Sequence, residues 1–132
     1  MTLPDNQGVD DALRCTELCT LNGTTYVAVP DGVALPEQPA EITVTTPALT
    51  DELKAQIKAA SPHVALTYAR TQELIRSKYS VDDEAYFARI GVGVALGVYT
   101  FEPGEQEELL EFGAFVENAR TWARAQRVAL GV

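Results

Sequence analysis

Histidine, methionine and tryptophan occur once each in the 132 residues, and cysteine only twice. That scarcity removes most of the side chains from which metal centres and nucleophile–base pairs are built. Positive charge is also short, with ten Lys and Arg against nineteen Asp and Glu and a net charge of -9. Such a surface repels phosphate backbones and anionic headgroups, so neither nucleic acid nor a membrane surface is an expected partner. No stretch reaches the ~17 to 25 apolar residues that a membrane span requires. The longest candidate, residues 90–101, is interrupted by Gly91, Gly93, Gly97 and Thr100. The opening Met1-Thr2-Leu3-Pro4-Asp5-Asn6 has neither the basic nor the apolar region of a signal peptide, so synthesis in a cytoplasm is expected.

Apolar residues make up 46 % of the chain, enough for one core in a domain of this length. Residues 1–14 are polar and read as a flexible lead-in. Asn22-Gly23 then separates two segments rich in Thr, Val, Leu and Tyr. Both residues of that pair tolerate positive φ, which predicts a type I′ hairpin with Leu21 facing Thr24, Cys19 facing Tyr26 and Leu18 facing Val27. Pro30-Asp31-Gly32 closes the second strand. The following stretch carries Pro36 and Pro39 and should run extended as a strap. Ile42-Thr43-Val44-Thr45-Thr46 reads as a third short strand stopped by Pro47.

From residue 49 the pattern is helical. Thr50 caps a helix with Leu53, Ile57 and Ala60 on one stripe, and Ser61-Pro62 marks a break and restart. The second helix carries Val64, Tyr68, Thr71, Ile75 and Tyr79 at spacings of three and four. Ser80 caps a third, with Asp82, Asp83 and Glu84 in its first turn. We expect that helix to continue to about Val98, although its glycines and valines also suit a strand. After Pro103-Gly104 comes the strongest pattern, residues 106–130, with Leu109, Phe112, Val116, Ala119, Ala123 and Gln126 in one line. The expected fold class is therefore α+β. Residues 1–48 supply a lead-in, β-hairpin, third strand and proline strap, and residues 49–132 form a bundle of three or four helices.

The sparse chemistry assembles into no motif. His63 falls in the first turn of a predicted helix, where imidazolium is disfavoured, with no matched nucleophile nearby in sequence. Cys15 and Cys19 are spaced C-x-x-x-C, about 13 Å apart along one strand, too far to bridge. The glycine run lacks both phosphate-loop spacings. Gly93 and Gly97 stand four apart, which on a helix clears one face for close packing inside the fold or between subunits. Glu102, Glu105, Glu107, Glu108 and Glu111 lack the offsets and central glycine of a calcium loop. They read as a solvated, dipole-matched helix start, or as a docking face for a basic partner. No residue is assigned to catalysis, a cofactor or a metal. The candidate interface residues are Gly93, Gly97, Val29, Pro36, Pro39, Glu105, Glu107, Glu108 and Glu111.

Two segments, Val29-Pro30-Asp31-Gly32-Val33-Ala34-Leu35-Pro36-Glu37-Gln38-Pro39 and Ile75-Arg76-Ser77-Lys78-Tyr79-Ser80-Val81-Asp82-Asp83-Glu84, carry a family resemblance, as does the closing Ala129-Leu130-Gly131-Val132. They resemble segments of small tail-region proteins of tailed bacteriophages. The resemblance implies a non-enzymatic structural or adaptor protein of a tail, baseplate or fibre-attachment region, made in the bacterial cytoplasm and resident in the virion. Its partners would be other virion subunits or further copies of itself. Two alternatives stand beside this expectation: a free-standing acidic regulator that occupies a basic surface on a host protein, and an enzyme of unrecognised type.

Overall fold

A computed structural model describes residues 15–132, so the expected lead-in lies outside the described residues. The element order is β1 (Thr16–Leu21), β2 (Thr24–Ala28), α1 (Asp51–Ala60), α2 (Pro62–Lys78), α3 (Val81–Ala95) and α4 (Glu105–Ala129). A two-stranded antiparallel hairpin followed by four helices is an α+β fold. The chain divides into two units. The first ends at Ala65 and takes up Arg127–Val132 again, and the second is Leu66–Gln126. The hairpin therefore shares a unit with α1 and with the end of the last helix, across the boundary expected at residue 48.

The hairpin turns at Asn22 and Gly23, whose φ values of 50° and 81° are the left-handed pair a type I′ turn needs. Leu21 pairs with Thr24 and Cys19 with Tyr26, as the turn dictates. Beyond Cys19 the register departs from expectation: a bulge lies between Glu17 and Cys19, and Val27 pairs with Glu17 instead of Leu18. Strict alternation would turn one of Leu18 and Cys19 outward. The extra residue lets both point inward, and both are buried. They meet Ile57 of α1 in a small core, flanked by Leu21, Tyr26, Ala28, Leu53, Leu130 and Val132.

Residues 29–50 form neither strand nor helix, and the third strand expected at residues 42–46 is absent from the described sheet. β-branched residues favour a strand only where a neighbouring edge supplies hydrogen bonds, and the segment between Pro39 and Pro47 meets none among the described residues. Among the described residues, the backbone hydrogen bonds of this stretch are turn contacts, at Val33 to Pro30, Ile42 to Pro39 and Thr50 to Ala48, together with the Thr50 carbonyl that accepts from Lys54 as α1 begins.

The helix boundaries follow their caps. Thr50 Oγ1 accepts from the Leu53 N–H, and Ser80 with Asp83 forms a reciprocal capping box at the start of α3. In the second unit α2 turns Thr67, Thr71 and Ile75 inward, α3 turns Phe87 and Ile90, and α4 turns Ala119 and Ala123. Tyr68, placed on the apolar line of α2 by its spacing, instead lies exposed. Tyr79, at the α2–α3 junction, meets Phe87, Phe112 and Phe115 edge-on at centroid distances of 5.9, 5.0 and 5.5 Å. Phe87 stacks on Phe112 at 4.8 Å. Ion pairs Arg76–Glu84 (2.7 Å) and Lys78–Glu111 (2.6 Å) lie on the surface around this cluster.

Because Ile57 is the one buried helical side chain in the described hairpin core, Ile57→Ala should cost about 2–5 kcal/mol in denaturant unfolding. A loss below about 0.5 kcal/mol, the level of a neutral surface change, would show that the hairpin does not depend on α1.

Candidate functional site

The second unit holds one buried carboxylate, and the residues leading to it explain its position. Residues 102–105 form a turn in which the Glu105 N–H donates to the Glu102 carbonyl at 3.1 Å. Pro103 precedes Gly104, whose φ of 90° suits the third position of a type II turn. The turn delivers Glu105 to the first position of α4. Its side chain folds back, and Oε1 accepts from the Glu102 N–H at 2.7 Å and from the Tyr99 hydroxyl at 2.6 Å. Oε2 accepts from the Tyr86 hydroxyl. Two tyrosines, one from α3 and one from the α3–α4 connection, thus converge on one carboxylate at a helix N-terminus.

The electrostatics follow from these donors. The Tyr86 and Tyr99 hydroxyls and the Glu102 N–H hold the Glu105 carboxyl below its ordinary 4.5. In turn the carboxylate pushes both phenols from 10.0 up to about 12, since each hydroxyl must keep its proton to donate. Three donors of the chain's own therefore engage both oxygens of an ionised group, which fastens α4 to α3 and to the connection between them.

The same lock explains the glycine run. α3 ends at Ala95, earlier than expected, and Leu96 is its C-cap. Gly97 follows with φ 74°. The Val98 N–H reaches the Gly93 carbonyl at 2.9 Å and the Gly97 N–H reaches Val94 at 3.0 Å, the paired bonds of a Schellman cap. Gly97 is thus a helix terminator, not a face-clearing residue. Gly93 is a close-approach site inside the chain: a methyl there would stand 2.8 Å from Tyr99 Cβ. α4 closes with the same four residues. Val132 reaches the Arg127 carbonyl at 3.0 Å, Gly131 reaches Val128 at 3.0 Å, and Gly131 has φ 76°.

The acidic cluster, expected as one surface, divides. Glu105 is buried, Glu111 pairs with Lys78, and Glu102, Glu107 and Glu108 remain exposed. Val29, Pro36 and Pro39 are exposed, remote in sequence from the carboxylate. His63 is exposed in the first turn of α2. Cys15 and Cys19 are free thiols, the latter buried. No group of three His, Cys, Asp or Glu side chains placed to hold a metal ion occurs among the described residues, and no described helix is long and apolar enough to cross a membrane. Sequence reasoning missed Glu105 as a buried group because it sits among four other glutamates and its partners, 6 and 19 residues away, share no helical period with it. The one available signal was Pro103-Gly104, which dictates a tight turn immediately before it.

No family model, curated protein or solved structure matches the chain.

Two outcomes test this lock. Alanine at Gly113, where an added methyl meets nothing within 4 Å, should stabilise the fold by about 1 kcal/mol. At Gly93 the overpacking cost of roughly 1–3 kcal/mol should cancel or exceed that gain, and equal stabilisation at both positions in denaturant unfolding would contradict the Tyr99 contact. The second outcome concerns pH. Because the phenol pKa values are raised in the folded state, the stability they contribute is fully present below pH 10 and is lost as pH rises through about 12. A Tyr86→Phe/Tyr99→Phe variant should unfold at lower temperature than wild type at neutral pH and lose less over that alkaline window. Parallel melting curves would refute the assignment.

Proposed function

We propose that the chain is a non-enzymatic structural or adaptor protein working through protein–protein contacts, as a component of a phage tail, baseplate or fibre-attachment region. The observation that carries this reading is the segment 29–50. Val29, Ile42, Val44 and Leu49 are all more than 40 % exposed there, and among the described residues the backbone hydrogen bonds of residues 29–49 are turn contacts. A segment of strand-forming residues whose backbone N–H groups from Thr43 to Thr46 meet no partner among the described residues is suited to pairing with the edge of another protein's sheet. On a partner, Ile42-Thr43-Val44-Thr45-Thr46 becomes the third strand and the proline stretch becomes the strap. The engaged carboxylate of Glu105 supports the same reading, since the one buried acid among the described residues holds helices together.

The acidic-regulator reading keeps a smaller surface than expected, since Glu105 and Glu111 are committed within the chain and Glu102, Glu107 and Glu108 remain. The two readings separate experimentally. Ile42→Lys/Val44→Lys alters exposed side chains, so stability should stay within about 0.5 kcal/mol of wild type. Tagged protein recovered from phage-producing cells should cross-link through residues 29–50 to virion subunits, and the double variant should lose that cross-linking. Retained capture by the double variant, together with loss on Glu107→Gln/Glu108→Gln or at high salt, would replace the adaptor reading with the regulator reading.

A further inference from the structure

Along α2, Leu66, Arg70, Glu73 and Ser77 recur at spacings of four, three and four, which places them on one face, away from the buried Thr67, Thr71 and Ile75. Three of these positions, with Leu74 and with Trp122 of α4, line a shallow open groove: Arg70, Glu73, Leu74, Ser77 and Trp122 enclose about 410 Å³. Leu66, Leu74 and Trp122 are 47 %, 43 % and 37 % exposed. Neither Arg70 nor Glu73 forms an ion pair among the described residues, whereas Arg76, Lys78 and Arg124 each do. Exposed Trp, Leu and Arg around a groove is the composition from which interface centres are built.

We propose that this face pairs with a second copy of itself, the two α2 helices running antiparallel. The charges decide both the occupant and the direction. Arg70 and Glu73 lie about 4.5 Å apart along the helix axis, at 1.5 Å per residue. A two-fold axis midway between them sets each Arg70 opposite the other copy's Glu73, so one contact is made twice. A parallel pairing would set Arg70 against Arg70 and Glu73 against Glu73. The same axis brings Leu66 of each copy opposite Ser77 of the other, at the end of its groove. The pairing lies within the second unit and is independent of any contact made by residues 29–50.

Charge exchange tests it. By light scattering, wild type should have the mass of two chains. Arg70→Glu and Glu73→Arg should each raise the dissociation constant by about tenfold or more, because each replaces two attractive contacts with two repulsive ones. An equimolar mixture of the two variants should regain the two-chain mass, since a chain with acids at both positions then faces a chain with arginines at both. The swapped R70E/E73R chain should pair with itself, and helical circular dichroism should be unchanged throughout. A monomeric wild type, a two-chain mass unaffected by either single change, or a mixture or swapped chain that stays monomeric would overturn the proposal.

Discussion

A carboxylate can remain charged away from water only when donors surround it, and Glu105 meets that condition with three. Much of the second unit is arranged around this requirement. Tyr86 must project from α3 toward the start of α4, and Tyr99 must return from the connection to the same point. The turn at Pro103-Gly104 must place Glu105 first in its helix. The Schellman cap at Leu96 to Val98 reverses the chain early enough for Tyr99 to reach back, and Gly93 leaves room for it to lie against α3. Each element is ordinary by itself. Their convergence on one buried acid is what defines the α3–α4 connection.

Apolar burial in both units is modest by comparison. Leu18, Cys19 and Ile57 are the buried hydrophobic residues among the described residues of the first unit, and the second adds Ile75, Phe87, Ile90 and two alanines. Meanwhile Leu66, Tyr68, Val92, Leu96, Val98, Leu110 and Val128 remain exposed among the described residues. The two identical tetrapeptides show the contrast directly. Ala129-Leu130-Gly131-Val132 packs Leu130 and Val132 against the hairpin core, whereas Ala95-Leu96-Gly97-Val98 leaves Leu96 and Val98 at 72 % and 79 % exposure. Sequence and cap geometry are the same, so the difference lies in whether this chain supplies a surface to cover them. This distribution of apolar surface supports the proposed role in an assembly.

Where a local rule is sufficient, the residues are readable. Asn22-Gly23 names its turn, and Thr50, Ser61-Pro62 and Ser80 name helix starts, because each acts on backbone groups within four residues. Where the outcome needs tertiary partners, reading fails. Nothing in the alternation of β1 reveals that Leu18 and Cys19 both turn inward through a bulge. Strand propensity at residues 42–46 cannot show that no edge is offered there among the described residues. The glycine run reads as a cleared face because spacing alone does not distinguish a helical glycine from one that ends the helix in left-handed geometry. The repeated Ala-Leu-Gly-Val is visible in the sequence and marks both helix ends. Glu105 has no such marker, since one tyrosine comes from α3 and the other from the irregular connection that follows it.

The central claim, that residues 29–50 are completed by a protein neighbour, is most directly tested by amide hydrogen exchange. The chain should be compared alone and within the native assembly from which it is recovered. The account predicts rapid exchange across residues 42–46 in the isolated chain and strong protection in the assembly, with the amides of α2 and α4 protected in both. Equal exchange of the segment in the two states would contradict it.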